Sequence, residues 1–121
     1  MTKRKQLGDW GEKIVIQKLI ELGFEIIETN FHSQFGEIDI VAKEKGTMVF
    51  IEVKTRSSSS YGIASESISK FKKERLIKTV YTYLQEKNIE DADYRIDLAT
   101  LDKKNNDEWE FNLINNAFDF S

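Results

Sequence analysis

The chain of 121 residues is long enough for one domain, and a domain of this size buries enough apolar surface to fold without covalent cross-links. It has no cysteine, which excludes disulfides and thiolate metal sites, and its net charge of −3 argues against a strongly basic nucleic-acid-binding protein. No apolar run approaches the ~20 residues of a membrane span, and no signal-type stretch follows the basic start, so we expect a soluble, cytoplasmic protein.

The first predicted element is a helix over residues 9–22. Asp9 is placed to cap it, with Glu12 as its partner in a capping box, and a start one turn earlier, near Lys3, is also compatible. The apolar stripe of this helix leaves Glu12 on the core side, where a carboxylate is either the capping partner or part of a buried site. A strand is predicted next, over residues 24–31.

Two strands joined by a turn are predicted within residues 36–56. Runs of Val, Ile, Phe and Met flank a polar segment with one glycine, which is the pattern of a hairpin. Side chains alternate between the two faces of a strand, so facing pairs share a face. A turn at residues 45–46 sets the register, and the facing pairs are then Asp39 with Glu52, Glu37 with Lys54, and Val41 with Phe50.

The shared face of this hairpin combines apolar and acidic side chains. Two directly opposed carboxylates have Cβ atoms roughly 4.5–5.5 Å apart and repel by about 3 kcal/mol at an effective dielectric near 20. Native chains keep such a pair where a cation or a shared proton joins it. One alternative is a salt-bridged sheet face in which Lys54 neutralises Asp39 or Glu52. The other is a phosphodiesterase site, in which both acids hold a metal and Lys54 stands beside the attacked phosphate.

A second helix is predicted over residues 68–86, followed by strands over residues 93–101 and 109–114. The order of helix, three strands, helix and two strands predicts an α/β fold, with a mixed sheet and helices packed on it. The composition contains no internal linker or repeat, so residues 1–121 are expected to form a single domain.

Two polar features lie between the hairpin and the second helix. Residues 57–62 directly follow the strand of Glu52 and are either a substrate-gripping loop or a plain linker. Basic side chains then gather at the start of the helix, where they form either a phosphate-binding patch or a solvated helix face. They are Lys70, Lys72 and Lys73, with Arg56 just before the loop.

Several short motifs resemble the bacterial YraN-like family, in the expected order along nearly the whole chain. They are Gly11-Glu12, G-E-I-D-I-V-A from Gly36, F-I-E-V-K-T-R from Phe50, R-I-D from Arg95, and Asn116-Ala117-Phe118. That family of uncharacterised predicted nucleases is similar to Holliday-junction resolvases and to PD-(D/E)xK enzymes. The resemblance implies a restriction endonuclease-like fold, with about five strands flanked by α-helices. The sequence departs from the family at two places. Lys70 stands where the family often has proline, and the family tends to have arginine or a bulky residue near the position of His32. Both departures concern substrate contacts rather than a metal site.

The resemblance also implies a metal-dependent DNA endonuclease that hydrolyses phosphodiester bonds, on branched or repair-intermediate DNA. Asp39 and Glu52 match the metal-binding acids, Lys54 matches the motif lysine, and Glu12 matches an early helical acid of the resolvases. The expected metal is Mg²⁺ or Mn²⁺, with the Val53 carbonyl and waters completing its shell. The expected DNA contacts are Arg56, Lys70, Lys72 and Lys73.

Two other functions remain open at this stage. The first is a non-catalytic nucleic-acid-binding module on the same fold, and the second is a structural protein whose acids are ion-paired. The intact set of Asp39, Glu52 and Lys54 favours the enzyme. By analogy with resolvases, which act as dimers on two-fold symmetric junctions, a homodimer is one expected assembly.

Overall fold

The computed structural model describes residues 3–57 and 69–118. Within these residues there are two helices, α1 (Lys3–Glu21) and α2 (Lys70–Glu86), and five strands. The strands are β1 (Glu25–Ser33), β2 (Gly36–Glu44), β3 (Thr47–Arg56), β4 (Tyr94–Lys103) and β5 (Trp109–Ile114). They form one sheet in the order β1-β2-β3-β4-β5. The predicted α/β fold with a mixed sheet is confirmed, and the arrangement is consistent with a restriction endonuclease-like fold.

The sheet is antiparallel except at its centre, where β3 and β4 run parallel. A parallel pair needs a crossover connection, and α2 lies in that connection. The tight turn between β2 and β3 has two left-handed residues, Lys45 at φ 49° and Gly46 at φ 84°, which matches the right-handed twist of a two-residue hairpin. The turn sets the predicted register, and Val41 pairs with Phe50.

Each face of the sheet has its own core. Val15 and Leu19 of α1 pack with a cluster on one face that includes Ile40 and Ile51. The other face carries the cluster of α2, in which Val80 and its neighbours pack against Phe50, Ile96 and other strand residues. Full burial stabilises each large aliphatic side chain by about 1.5–3 kcal/mol relative to exposure. The two helices therefore hold the sheet between them and fix the position of the β3 end.

Helix α1 begins at Lys3, so the predicted start at Asp9 is wrong and the earlier start is the one observed. Asp9 lies inside the helix, with its carboxylate 3.3 Å from the Lys5 amine one turn before. A pair at this spacing supports a helix rather than a cap. The capping-box role predicted for Glu12 is wrong for the same reason. Leu22, the last residue of the predicted amphipathic helix, is 55% exposed and does not belong to its buried face.

Helix α2 begins at Lys70 with Ser69 as its N-cap. The Ser69 side chain accepts a hydrogen bond from the Lys72 backbone N–H at 3.1 Å. Residues 58–68, which include most of the predicted loop and the predicted helix start, lie outside the described residues. Neither α1 nor α2, the helices of the described part of the chain, is long and apolar enough to cross a membrane.

The R-I-D and Asn-Ala-Phe motifs are joined by hydrogen bonds to Asp97, and we call this set of hydrogen bonds the Asp97 latch. Asp97 is fully buried and accepts hydrogen bonds from Arg95 Nε at 3.0 Å, Asn115 Nδ2 at 2.9 Å and the Asn116 backbone N–H at 3.0 Å. Phe118, just beyond, packs into the α2-side core. These two motifs therefore anchor the C-terminal segment to β4.

Candidate active site

The candidate site forms where β2 and β3 separate. The pairing of β2 with β3 begins beside the hairpin turn, and the last residues that pair are Ile40 and Ile51. The predicted strand pair of Asp39 with Glu52 is therefore not formed as a ladder pair. Instead, the Asp39 carboxylate accepts a hydrogen bond from the Val53 N–H at 2.8 Å, in the place that a strand partner would take. The gap between the strands consequently contains an acidic side chain.

The regular alternation of side chains along β2 is broken beside Asp39. Ile38 and Val41 pack in the α2-side core, whereas Ile40 packs in the α1-side core. Strict alternation would put Ile38 and Ile40 on the same face. On β1, Asn30 lies between the residues that pair with these two isoleucines, and its backbone is left-handed at φ 56°. Such irregularities re-aim side chains and are over-represented next to active sites.

Glu12 reaches the site because α1 lies very close to β3. A Cβ atom on Gly11 would lie 2.7 Å from Thr55 Cγ2 and closer still to its Oγ1, so only glycine permits this approach. The Glu12 carboxylate accepts a hydrogen bond from Asn30 Nδ2 at 3.1 Å. Burial raises the pKa of Glu12, against the opposing effect of this hydrogen bond. Asn30 was not predicted, and a polar residue inside the β1 pattern was its only signal in the sequence.

Asp39, which is half-buried, and Glu52, which is buried, both have raised pKa values. Burial, with the Glu52 charge adding to it, raises the pKa of Asp39 to about 7, although the hydrogen bond from the Val53 N–H opposes the shift. Burial also raises the pKa of Glu52, while the Lys72 and Lys54 charges work in the opposite direction. Acids with strongly perturbed pKa values in a cleft are candidates for a functional site.

Two lysines complete the site. The Lys72 amine of α2 lies 3.3 Å from the Glu52 carboxylate, so the partner of Glu52 comes from the helix. Burial and a hydrogen bond with Lys72 lower the pKa of Lys54. Burial also disfavours the charged form of Lys72, but its contacts with Lys54 and Glu52 outweigh this and raise its pKa. Lys72 therefore keeps its charge, and Lys54 releases its proton more readily.

Comparison with known proteins identifies the family. A model of the uncharacterised protein family UPF0102 matches residues 11–101, three-quarters of the chain and the range that holds the residues described above. The chain belongs to the UPF0102 family. The resemblance to the YraN-like proteins noted from the motifs is thereby confirmed.

Relatives from several bacteria match over nearly their whole length. A UPF0102 protein of Caldicellulosiruptor bescii is 45% identical over 122 residues, covering 94% of this chain and 98% of that protein. The UPF0102 protein of Alkaliphilus metalliredigens is 40% identical, with 94% of this chain and 98% of that protein covered. One from Clostridium botulinum is also 40% identical, with 94% of each chain covered.

The basic residues around the site differ in their surroundings. Arg56 forms a bidentate ion pair with Asp102 on the neighbouring strand, at 2.6 and 3.0 Å, so its charge is already balanced there. Lys70 is exposed and Lys73 half-buried in the first turn of α2. The contacts of all four predicted DNA-binding residues with nucleic acid stay predictions. Lys3 and Lys5 were not among them, yet both line the cleft.

An open cleft of about 550 Å³ lies beside the site, and five of the predicted site residues of this UPF0102 chain line it. Asp39, Val53 and Lys54 line it, and the start of α1 forms its opposite wall. Glu52 and Lys72 line a neighbouring hollow that shares Glu37 with the cleft. This placement agrees with the rule that ligands bind in the crevice outside the carboxyl ends of strands in α/β sheets.

The donor atoms of the site suit a hard cation with several water ligands. Within residues 3–57 and 69–118, no three Asp, Glu, His or Cys side chains gather closely enough to hold a metal ion together. Mg²⁺ commonly takes one or two carboxylates and keeps waters. The N–H and C=O of one strand residue point to the same side, so the Val53 carbonyl is expected to face the same gap as the N–H that meets Asp39. Asp39, Glu52 and this carbonyl thus fit such an ion.

Proposed function

We propose that this protein is a Mg²⁺- or Mn²⁺-dependent DNA endonuclease that hydrolyses phosphodiester bonds, with branched or repair-intermediate DNA as its substrate. The observation that supports it most is the pair of acids, half-buried Asp39 and buried Glu52, where β2 and β3 separate. Withdrawing two neighbouring carboxylates from water is costly, and the raised pKa of each acid expresses that cost. A cation at the gap would offset it.

The metal would be held by Asp39, Glu52 and the Val53 carbonyl, with water in the remaining positions. A divalent ion there would lower the pKa of a bound water and offset charge on the scissile phosphate. Glu12 does not join the two acids closely enough to form a set of three ligands. Held by Asn30, it would orient a water bound to the ion, a role in which such outer groups affect metal affinity and activity.

The two lysines have different roles in this proposal. Lys54 stands in the cleft with Asp39 and would stabilise the charge that develops on the phosphate as the bond breaks. Lys72 is a positioning residue, because its amine contacts Glu52 and favours the ionised form of that carboxylate. An ionised Glu52 is the form that holds a cation.

DNA binding would depend on local basic groups, since the whole chain carries a net charge of −3. The cleft has Lys3 and Lys5 on its α1 wall, and Lys72 marks the α2 side. Such patches attract phosphate on a chain that is acidic overall. Each phosphate contact that is removed should flatten the salt dependence of binding by about one unit.

A non-catalytic nucleic-acid-binding module is the second candidate. The ion pair of Lys72 with Glu52 favours it, because Glu52 has a cationic partner without any metal. A module of this kind would bind DNA with the same basic groups and leave it intact.

Cleavage assays separate the two functions. Branched, single-stranded and duplex DNAs are incubated with wild type in Mg²⁺, Mn²⁺ or EDTA, beside the Asp39→Asn and Lys54→Ala variants. Loss of one electrostatic contact to the reacting centre typically costs about 10²–10³ in rate, so both variants should bind DNA and cleave it at least about 100-fold more slowly. The matched control is Lys104→Ala, at an amine 2.9 Å from Glu110 and outside the residues that line the cleft.

One result would contradict the endonuclease, and another would contradict only the role of Lys54. Wild type that binds DNA but never cuts it in either metal would leave the binding module as the function. Cleavage by Lys54→Ala at the wild-type rate would show that this lysine is only an ion-pair partner in the fold.

A further inference from the structure

A second hollow adjoins the candidate active site, between the β1–β2 turn and the first three turns of α2. Its volume is about 390 Å³. We name it the α2 hollow; it is lined by Phe35, Gly36, Glu37, Glu52, Phe71, Lys72, Arg75, Leu76 and Thr79. Glu52 and Lys72 also belong to the candidate active site, so the hollow and the active site meet at this ion pair. Whatever occupies the hollow therefore lies next to the proposed scissile phosphate.

An exposed aromatic ring forms one wall of the α2 hollow. Phe71 is 66% exposed, although a ring of this size usually gains stability by burial. The Arg75 guanidinium lies 5.5 Å from the centre of the Phe71 ring, within the range of a cation–π contact. Arg75 Nε also donates a hydrogen bond to the Phe35 carbonyl at 2.7 Å. Phe71 thus has a cation fixed beside it and much of its surface still in water.

The inner wall of the α2 hollow is apolar and includes a glycine. Leu76 is buried there, and Gly36 has a φ of 148°, a backbone conformation that other residues rarely adopt. A Cβ atom on Gly36 would make only an ordinary van der Waals contact, at 3.5 Å from Thr79 Oγ1. The hollow is therefore an apolar recess beside an exposed aromatic ring.

Basic side chains outnumber acidic ones around the α2 hollow and favour an anionic partner. Lys72 and Arg75 line it together with Glu37 and Glu52, and Lys72 is paired with Glu52. The excess of positive charge comes from Lys78, whose amine lies 5.7 Å from the ring centre of Phe35, and from Lys70 and Lys73 on the same helix end. Aromatic platforms combined with basic side chains are the means by which proteins bind single-stranded nucleic acid, since every base has a stacking face.

We propose that the α2 hollow receives one unpaired base of single-stranded DNA, which stacks on Phe71 while its phosphates pass Lys72 and Arg75. The inference rests on the proposed function for the position of the scissile phosphate. A base that is stacked and paired inside a duplex has no free face to offer this ring. The substrate class is consequently DNA with an unpaired nucleotide next to the cleaved bond, as in a single strand, a flap or the branch point of a junction.

The test measures binding without cleavage, in EDTA. A short single-stranded oligonucleotide that carries 2-aminopurine is titrated with wild type, Phe71→Ala and Phe71→Tyr, and a duplex of the same sequence is titrated in parallel. Stacking of one base is worth about 5- to 150-fold in affinity, so Phe71→Ala should lose that factor for the single strand only. Phe71→Tyr should keep it, and quenching of the 2-aminopurine should follow the same order.

The control is Tyr81→Ala, an aromatic on the same helix that is 48% exposed and does not line the hollow. It should bind both DNAs as wild type does. A second arm replaces single nucleotides of the strand by abasic ones in turn. At one position, wild type and Phe71→Ala should bind with equal affinity, because the base that Phe71 contacts is missing.

The outcomes separate this proposal from the endonuclease. Equal affinity of wild type and Phe71→Ala for the single strand, or an equal loss for single strand and duplex, overturns the base-binding hollow even if wild type cleaves DNA. A single-strand-specific loss combined with no cleavage in Mg²⁺ or Mn²⁺ supports the hollow and refutes the endonuclease.

Discussion

Replacement of Asp39 by Asn should remove most of the pH dependence of folding stability in metal-free buffer. Asn keeps a side-chain oxygen that can accept the Val53 N–H but carries no charge. Burial raises the pKa of Asp39 from 3.8 to about 7, so between these pH values the folded chain holds a proton that the unfolded chain has released. This stabilising contribution is complete below the lower value and is lost as the pH rises through the upper one.

The size of the effect follows from the shift. About three pKa units at ~1.36 kcal/mol each give about 4 kcal/mol, a large part of the ~5–15 kcal/mol that holds a typical domain folded. Wild type should therefore lose up to about 4 kcal/mol of unfolding free energy from about pH 4 to pH 8. Because the pKa of Glu52 is also raised, the Asn variant should keep a shallower fall in the same direction.

Urea unfolding at several pH values measures this, with tryptophan fluorescence as the signal. The rings of Trp10 and Trp109 lie 5.0 Å apart between α1 and β5, so their separation reports unfolding. The control is Asp107→Asn, at a carboxylate that is 86% exposed, and it should reproduce the wild-type curve. The reasoning would be refuted if the unfolding free energy of wild type fell no more between pH 5 and pH 8 than that of the Asp39→Asn variant.

Divalent metal should reverse the trend in wild type. A cation binds the ionised acids, so stabilisation by Mn²⁺ should be larger near pH 8 than near pH 6, reaching about 2.7 kcal/mol at a concentration 100 times the dissociation constant. Calorimetric titration gives the binding directly. If the Asp39→Ala, Glu52→Ala double variant binds Mn²⁺ as wild type does, the metal lies elsewhere.

Three further predictions concern contacts that stabilise the fold and the site. Gly11→Ala should lower the unfolding free energy by about 1–3 kcal/mol in thermal melts because its methyl group overlaps β3, whereas Gly8→Ala, with nothing within 4 Å, should be neutral or stabilising. Asp97→Ala should cost about 3–5 kcal/mol in urea unfolding, since it removes the buried acceptor of Arg95 Nε, of the Asn115 amide and of the Asn116 N–H, and a loss below about 1 kcal/mol would contradict the latch. Lys72→Ala should raise the pKa of Glu52 further, because the Lys72 charge lowers it; carboxyl NMR titration shows this, and an unchanged titration would mean that the ion pair is absent in solution.

The hairpin at the centre of the fold was predictable because its signals are local. Apolar runs on either side of Gly46 define both strands, and the two-residue turn then fixes which residues pair. The same pairing predicts that Asp39 and Glu52 lie near each other at the open end of that hairpin. Element order likewise predicts the mixed sheet, since each helix and strand has its own periodicity.

What the sequence does not predict depends on contacts between distant segments. Lys72 meets Glu52 only because α2 packs back on the sheet, and a helical lysine looks the same whether it faces solvent or an acid. The break in alternation beside Asp39 has no local signal, since the residues around it follow a regular strand pattern. The start of α1 was misplaced because Asp9 suits a cap as well as it suits the pairing with Lys5 that is observed.

The latch at Asp97 has a consequence for synthesis of the chain on the ribosome. The hairpins β1–β2 and β2–β3 join neighbours in sequence, so they can form as soon as they leave the tunnel. The α2-side core, in contrast, includes Phe118 and stays open until that residue emerges. We therefore expect nascent chains that stop short of Asn115 to remain sensitive to protease, and chains extended past Phe118 by an unstructured linker to become resistant in one step. A nascent chain whose Phe118 is still inside the tunnel would thus leave part of the α2-side core uncovered.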